Sequence, residues 1–467
     1  MYLMALGNID YIVITILFAA IFIIAYLFRR KNQTAALFIY TGSDKPFTSN
    51  RSLIGYGVLE LIGCGTIGAR YGISGIYYVI LAIIISYLLS VYIAKIIFPN
   101  SLFDYIGNVL GSKIQALVAT FGIIVLLFLA IATTIFTFKL FQPLLGWNYV
   151  NSIFGITGVT LIYVLLGGSR AVKSNVQLCA SVVLGGILLA VILGVINLGG
   201  PSGILANLHD LAVKRTMGYN YYTGFNINFL MACQIAIVGL FLTMLSFLVE
   251  TRNDSNWRMW IKRMTWIIPI GLMVMCGVVA LATPITKNTE GSQIVTIQAQ
   301  LPDGQTGYIV KAIDNDKTKP AFVTPGIIPP LLNPQTNLIE PNAYNYMLSS
   351  VVALKHYLPK PLSIVLVLVV LSAFMFALAQ YLLGVSKLIV FDVYAKLGWF
   401  CSYGEIGKIW LTRMSIIFAA NVSLFGGYFL SSYLDLARVS YIAGGFAATF
   451  CIFILCLVTY YGQTQKK

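Results

Sequence analysis

Long apolar runs alternate with polar connections along almost the whole chain. A helix that crosses the hydrocarbon core of a bilayer needs about 20 predominantly apolar residues. By this criterion the pattern predicts eleven membrane-spanning helices. They lie at 11-28, 52-70, 72-97, 114-138, 148-167, 175-197, 226-249, 264-284, 361-386, 408-429 and 439-461. We therefore expect an all-α, multi-spanning membrane protein.

The longest polar region, 285-360, separates the eighth and ninth predicted spans. Two stretches in it, 293–298 and 308–313, alternate polar and apolar residues, and a Pro-Asp-Gly turn signal lies between them at 302–304. The pattern predicts a β-hairpin followed by a proline-rich segment. This loop is either an ordered lid on the outer face or a docking site for another protein.

Composition excludes a soluble protein and argues against a nucleic-acid partner. The chain has 467 residues, of which 59% are hydrophobic and 10% charged, with a mean hydropathy of +0.87. Soluble domains carry roughly 25% charged residues. The net charge is +15, but the basic residues form small groups between apolar runs. Their distribution over the short loops predicts an outside N-terminus and a cytoplasmic C-terminus, and it fits a bacterial inner membrane.

The sequence offers little material for catalysis or metal binding. There are two histidines, His209 and His356, and seven cysteines without Cys-x-x-Cys spacing. Signatures of zinc proteases, serine hydrolases and phosphate-binding loops are absent from the sequence. We therefore expect no enzyme, no metal site and no cofactor other than a coupling ion.

Glu60 is the only carboxylate placed inside a predicted span, and Gly63, Cys64, Gly65 and Thr66 follow it. An ionisable group at membrane depth is costly and by default marks a pathway or an ion-coupling site. The two glycines favour a broken helix, which exposes backbone carbonyls to cations. Alternatively, Glu60 is neutral and hydrogen-bonded in the bundle, and the glycines allow close helix packing.

Four other polar residues are candidates: Arg70, Gln234 and Ser372 for a substrate path, and Lys387 for a gate. Arg70 closes the second span, where it is either an interfacial anchor or the partner of an anionic substrate. Gln234 lies in the seventh span and lines a cavity or bonds to a neighbouring helix. Lys387 directly follows the ninth span, and we expect its side chain to snorkel to the cytoplasmic headgroups, with a gating role as the alternative.

Several short motifs occur in an order that resembles the sodium/solute symporter family. The first span is entered at Asp10 and followed by Arg-Arg-Lys at 29–31, and a Gly-Ile-Ser-Gly-Ile-Tyr-Tyr segment begins at Gly72. Gly-Gly-Ser-Arg-Ala-Val begins at Gly167, and Asp-Val-Tyr begins at Asp392. The resemblance implies sodium-driven uptake of small solutes. It also implies one domain, 1-467, with an extra N-terminal helix at 11-28 and inverted repeats of five helices each at 52-197 and 226-461.

The resemblance fails at the positions that hold sodium in the family. Its sodium site takes two side-chain hydroxyls from the helix that ends in Asp-x-Tyr, and these positions correspond to Phe376 and Ala377. Sodium is a hard cation that needs several oxygen ligands. Neither side chain has an oxygen, so we expect the usual sodium site to be degraded.

Three functions remain open from the sequence. The first is a secondary active transporter that moves a small solute across the lipid bilayer by alternating access, with Glu60 binding a proton. The second is a transporter-like receptor, sensor or assembly subunit that no longer transports and uses the loop at 285-360. The third is sodium symport through a rearranged site that uses Thr66, Ser372 or backbone oxygens.

Overall fold

The computed structural model describes most of the chain. The described residues are 7–29, 34–39, 56–97, 102–145, 148–214, 229–249, 256–283, 292–300, 306–314, 328, 330–332, 339–344, 346–359, 362–398, 404–433 and 436–464. The predicted turn at 302–304 and the tyrosine cluster at 219–222 lie outside them.

Helices dominate the described part of the chain, which contains fourteen α-helices. They are α1 Asn8–Arg29, α2 Ala35–Ile39, α3 Val58–Tyr71, α4 Ser74–Ile97, α5 Leu102–Leu110, α6 Ser112–Leu145, α7 Gly155–Asn197, α8 Gly200–Lys214, α9 Phe229–Val249, α10 Asn256–Ala282, α11 Ser349–Tyr357, α12 Ile364–Lys387, α13 Glu405–Ser431 and α14 Leu436–Thr464. Short π-helical segments lie at Val150–Phe154 and Leu388–Tyr394, and a 3₁₀ turn at Tyr346–Leu348 precedes α11.

Seven helices in the described ranges are long and apolar enough to cross a membrane. They span Asn8–Arg29, Ser74–Ile96, Ser112–Gln142, Ser152–Asn197, Ile364–Tyr394, Glu405–Ser431 and Ile442–Tyr461. Two shorter apolar stretches, Ala232–Leu245 and Trp266–Ala282, lie within α9 and α10. Each of the eleven predicted segments overlaps a helix, and two of them share α7.

A glycine interrupts α7 between the fifth and sixth predicted spans. Gly168 has φ 55° and ψ −155°, which no other residue type adopts without strain. The helix is therefore interrupted at the Gly-Gly motif, which lies in the connection between the two predicted spans. The two parts of α7 are separate helices joined at this residue.

The most deeply buried helix is α12, which packs against α6, α7 and α13. Its apolar residues surround the helix on all sides, as expected of a helix at the centre of a bundle. By contrast, α1 buries only the stripe Leu17, Ile21 and Ala25, which it presents to α7. The Nδ2 atom of Asn175 in α7 donates to the Ile21 carbonyl over 3.2 Å.

A close crossing of α3 and α10 depends on glycines of both helices. A Cβ on Gly68 would overlap the carbonyl oxygen of Val274 and lie 3.1 Å from the Val278 nitrogen. A Cβ on Gly277 would overlap the Gly65 carbonyl oxygen. Small residues let two helix backbones approach this closely, which is the usual way that helices associate in membranes.

Four strands form an antiparallel sheet in the order β1-β2-β4-β3. The long strands are β1, Ser292–Gln300, and β2, Thr306–Asp314, and they pair in register from Ser292 opposite Asp314 to Gln300 opposite Thr306. These strands contain the two alternating stretches of the sequence. The short strands β3, Pro330–Leu332, and β4, Ile339–Tyr344, complete the sheet.

Candidate functional site

The site is built around the N-terminal end of α3. Tyr56 and Gly57 are not helical, and Gly57 has the extended conformation φ −79°, ψ 167°. The helix starts at Val58, six residues after the predicted start of the second span. Because the first N–H groups of a helix have no carbonyl partner within it, this end carries a partial positive charge.

The prediction of a helix broken at Gly63, Cys64 and Gly65 was wrong. The helix α3 runs without interruption from Val58 to Tyr71. Glycine weakens a helix by about 1 kcal/mol, but tertiary packing compensates for this at Gly65. A Cβ on Gly65 would overlap Ser350 Oγ of α11 and lie 3.3 Å from Ser349 Oγ. Gly65 therefore serves close packing, the alternative that the sequence left open.

Glu60 is the third residue of α3, and its carboxylate turns back over the start of the helix. Oε2 is shielded from solvent, and a Cβ on Gly57 would overlap it. A glutamate in this position faces the free N–H groups and the positive end of the helix dipole. The carboxylate is also close enough to interact electrostatically with Cys64 and with Tyr381 of α12.

Phe376 and Ala377 of α12 lie directly against the extended start of α3. The Phe376 ring is 5.6 Å from the Tyr56 ring, measured between centroids. The Ala377 Cβ is 3.2 Å from the position of a Cβ on Gly57. Both side chains are buried, and neither carries an oxygen. The two positions at which the resemblance expects hydroxyl groups thus lie against Tyr56 and Gly57, and Ala377 lies beside the Glu60 carboxylate.

Tyr381 is a residue of this site that the sequence analysis missed. It is buried on α12, four residues after Ala377. Residues four apart lie on the same face of a helix. Once Ala377 was identified as a site position, this spacing was the signal that Tyr381 faces the same region.

Thr66 and Ser372 have separate surroundings. The Thr66 hydroxyl donates to the Ile62 carbonyl over 2.8 Å and lies 3.4 Å from the Tyr346 carbonyl. Ser372 is buried beside Cys179 of α7. Thr66 therefore belongs to the contact of α3 with the 3₁₀ turn, and Ser372 to the contact between α7 and α12.

Two of the three substrate-path candidates, Arg70 and Gln234, meet through Tyr71. The Arg70 guanidinium carbon lies 5.7 Å from the centroid of the Tyr71 ring. The Tyr71 hydroxyl donates to Gln234 Oε1 over 3.2 Å, which joins the end of α3 to α9. The third candidate, Ser372, lies elsewhere.

Lys387 does not snorkel towards headgroups, so that prediction was wrong. Its side chain is buried at the end of α12 and interacts electrostatically with Asp392 and Asp104. Asp392 is also buried and accepts a hydrogen bond of 3.1 Å from Gln115 Nε2 of α6. A nearby acidic group compensates for the burial of a lysine, whereas a single buried charge is expensive. Lys396 pairs with Asp104 of α5 at 3.4 Å on the exposed side.

The long apolar helices of this bundle define a multi-spanning membrane protein. The model of the sodium:solute symporter family matches residues 54–300. The chain belongs to this family.

Two individual proteins extend the comparison. Sodium/glucose cotransporter 4 of Mus musculus is 34% identical over 107 residues, a segment that covers 23% of this chain and 16% of the cotransporter. A solved structure of a Na⁺-coupled sialic acid symporter, in a substrate-bound outward-open state, superposes with a TM-score of 0.57 at 14% identity. That superposition covers 95% of this chain and 85% of the other. At this identity the likeness shows a shared fold.

Proposed function

We propose that the protein is a secondary active transporter that moves a small solute by alternating access. In this proposal the chain crosses the membrane eleven times, with an outside N-terminus and a cytoplasmic C-terminus in a bacterial inner membrane. The helix at 11-28 precedes two inverted repeats of five helices, 52-197 and 226-461. The loop at 285-360, with its β-hairpin, lies on the outer face.

The coupling ion in this proposal is a proton that binds to Glu60. The observation that carries it is the contact of Ala377 with Gly57 beside the Glu60 carboxylate. A sodium ion at this place would lack the two hydroxyl ligands that the family uses. A carboxylate needs no such ligands, because a proton neutralises it directly. The positive end of the α3 dipole stabilises the charged form, and a bound proton neutralises the carboxylate when the site closes.

Sodium binding and proton coupling predict different responses of the purified protein. The experiment is thermal unfolding in detergent at constant ionic strength, with sodium, potassium or choline as the cation, from pH 5.5 to 8.5. A ligand that binds only the folded state at 100 times its Kd raises the unfolding free energy by about 2.7 kcal/mol. We expect no sodium-specific increase, together with a pH dependence that Glu60→Gln reduces.

Glu405 supplies the matched control. It is an exposed glutamate in the first turn of α13 and pairs with Lys408 at 3.1 Å. Glu405→Gln removes the same charge at a helix start but is remote from the candidate site. The proton proposal fails if this variant changes the pH dependence as much as Glu60→Gln, or if sodium stabilises the wild-type protein specifically.

The lost hydroxyl ligands also support a second candidate function. A receptor, sensor or assembly subunit with a transporter fold needs no coupling ion and would use the loop at 285-360 for its partner. Indifference of stability to sodium, to pH and to Glu60→Gln favours this function. A sodium-specific increase that Thr66→Ala or Ser372→Ala removes would instead favour sodium symport through a rearranged site.

A further inference from the structure

Three helices bring together an arginine, two tyrosines and a glutamine at the end of α3. Arg70 and Tyr71 close α3, Tyr78 lies in the first turns of α4, and Gln234 lies near the start of α9. The Tyr71 and Tyr78 rings meet edge to face, with centroids 5.1 Å apart. Tyr78 is itself buried against Ala82 and Ile235. The cluster therefore has a rigid aromatic base.

Arg70 presents its positive charge without an acidic partner in the described part of the chain. The residue is exposed, and its guanidinium group lies over the Tyr71 ring. A cation above an aromatic face gains about 0.5–1 kcal/mol at an exposed site. This contact orients the planar guanidinium group but leaves its N–H donors for another molecule. Guanidinium groups bind carboxylates with two parallel hydrogen bonds.

Gln234 adds a second, neutral donor whose direction Tyr71 determines. The amide oxygen accepts the Tyr71 hydroxyl, so the Nε2 amide group points away from that bond. Within the ranges described above, no acceptor contacts this group. The same tyrosine thus orients a guanidinium group with its ring and a carboxamide with its hydroxyl. Donors held ready in this way favour an anion, because little ordering is required when it binds.

We infer that this cluster is a binding site for a small organic anion, with a carboxylate held by Arg70 and Gln234 and an apolar part against Tyr71 and Tyr78. The inference names a substrate class for the proposed transporter and rests on that proposal only for the step after binding. Arg70 follows Glu60 by ten residues, which corresponds to about 15 Å along a helix. The anion site is therefore distinct from the proposed proton site.

The test compares carboxylates with their neutral amides. Thermal unfolding of the purified full chain in a neutral detergent is measured with benzoate and benzamide, phenylacetate and phenylacetamide, and lactate and lactamide. We expect at least one carboxylate to stabilise the protein and its amide to have no effect. Arg70→Gln should weaken that binding by at least about tenfold, the usual loss of a hydrogen bond to a charged group. Tyr71→Phe should weaken it less.

Matched variants separate this site from general charge effects and from the proton site. Lys95 is an exposed basic residue in the last turn of α4, and Lys95→Gln removes one positive charge without touching the cluster. This variant should bind the carboxylate as the wild type does. Glu60→Gln should also retain anion binding. The proposed anion site can therefore be correct if the proton proposal fails, and the proton proposal can be correct if the anion site fails. If Arg70→Gln does not fold, Arg70→Lys keeps the charge, loses the planar fork and should bind more weakly.

Four results would overturn the inference. The first is that none of the carboxylates stabilises the protein. The second is that an amide stabilises it as well as the matching carboxylate does, and the third is that Arg70→Gln binds the carboxylate as tightly as the wild type. The fourth is stabilisation by phosphatidylglycerol alone, lost in Arg70→Gln. In that case Arg70 is an anchor for lipid phosphate, and the donors do not serve a solute.

Discussion

Two identical substitutions in one helix should have opposite effects on stability. Gly63→Ala and Gly68→Ala each add one methyl group to α3. No described atom lies within 4 Å of a Cβ on Gly63, and its backbone is helical. Alanine favours a helix over glycine by about 0.5–1 kcal/mol. We therefore expect Gly63→Ala to be neutral or stabilising by that amount.

Gly68→Ala should destabilise the protein because the new methyl group meets backbone. It would overlap the Val274 carbonyl oxygen and lie 3.1 Å from the Val278 nitrogen of α10. Neither atom can rotate away, so the two helices must separate by on the order of 1 Å to restore van der Waals contact. Overpacking of this kind costs about 1–3 kcal/mol. The two variants should differ by roughly 1–4 kcal/mol when both effects are combined.

Buried cysteines provide the assay. Cys179, Cys276 and Cys451 are each 1% exposed, so a thiol-reactive fluorescent maleimide reports their exposure on heating. The exposed Cys456 contributes a constant background that Cys456→Ser removes. We expect the apparent melting temperature to be lowest for Gly68→Ala, intermediate for the wild type and equal or higher for Gly63→Ala. If Gly63→Ala lowers it as much as Gly68→Ala does, Gly63 acts as a hinge and the reasoning from helix packing is refuted.

Three further predictions concern groups away from this crossing. Gln115→Ala removes the hydrogen bond to the buried Asp392 carboxylate and should cost about 1–3 kcal/mol in unfolding free energy, whereas Asp392→Asn should cost more because it also removes the main acidic neighbour of the buried Lys387. Partial burial lowers the pKa of His356, so the unfolded chain binds more protons near pH 6. Stability should therefore fall as the pH drops through 6.5, and His356→Gln should flatten this part of the melting-temperature profile. Tyr357→Phe removes the hydrogen bond with Thr283 that joins α11 to the end of α10, and it should lower stability by about 1 kcal/mol in the same thiol assay.

Several parts of the fold were predictable because they depend on local sequence. The apolar runs predicted helices from 11-28 to 439-461, and each overlaps an observed one. The Gly-Gly motif at Gly167 marked the connection between the fifth and sixth predicted spans, and α7 is interrupted at Gly168. The resemblance to the family also followed from short motifs in order, and the match over 54–300 confirmed it.

Other features were ambiguous because one residue type serves two purposes. Glycine permits both a broken helix and a close helix crossing, and the sequence at Gly63 and Gly65 does not distinguish them. The choice depends on what lies opposite, which is α11 at Gly65 and no described atom at Gly63. Lys387 posed the same difficulty. A lysine at a helix end snorkels when lipid surrounds it, but here Asp392 and α12's neighbours enclose it.

The sequence by itself determined the class of protein, the apolar helices and the absence of oxygen from Phe376 and Ala377. These are properties of residue type and spacing along the chain. Only the tertiary structure decided which residues meet, because contacts between distant segments depend on how whole helices pack. Packing places Ala377 against Gly57 beside the Glu60 carboxylate, and it joins Tyr71 to Gln234 across 163 positions of the chain. The candidate proton and anion sites both arise from such contacts.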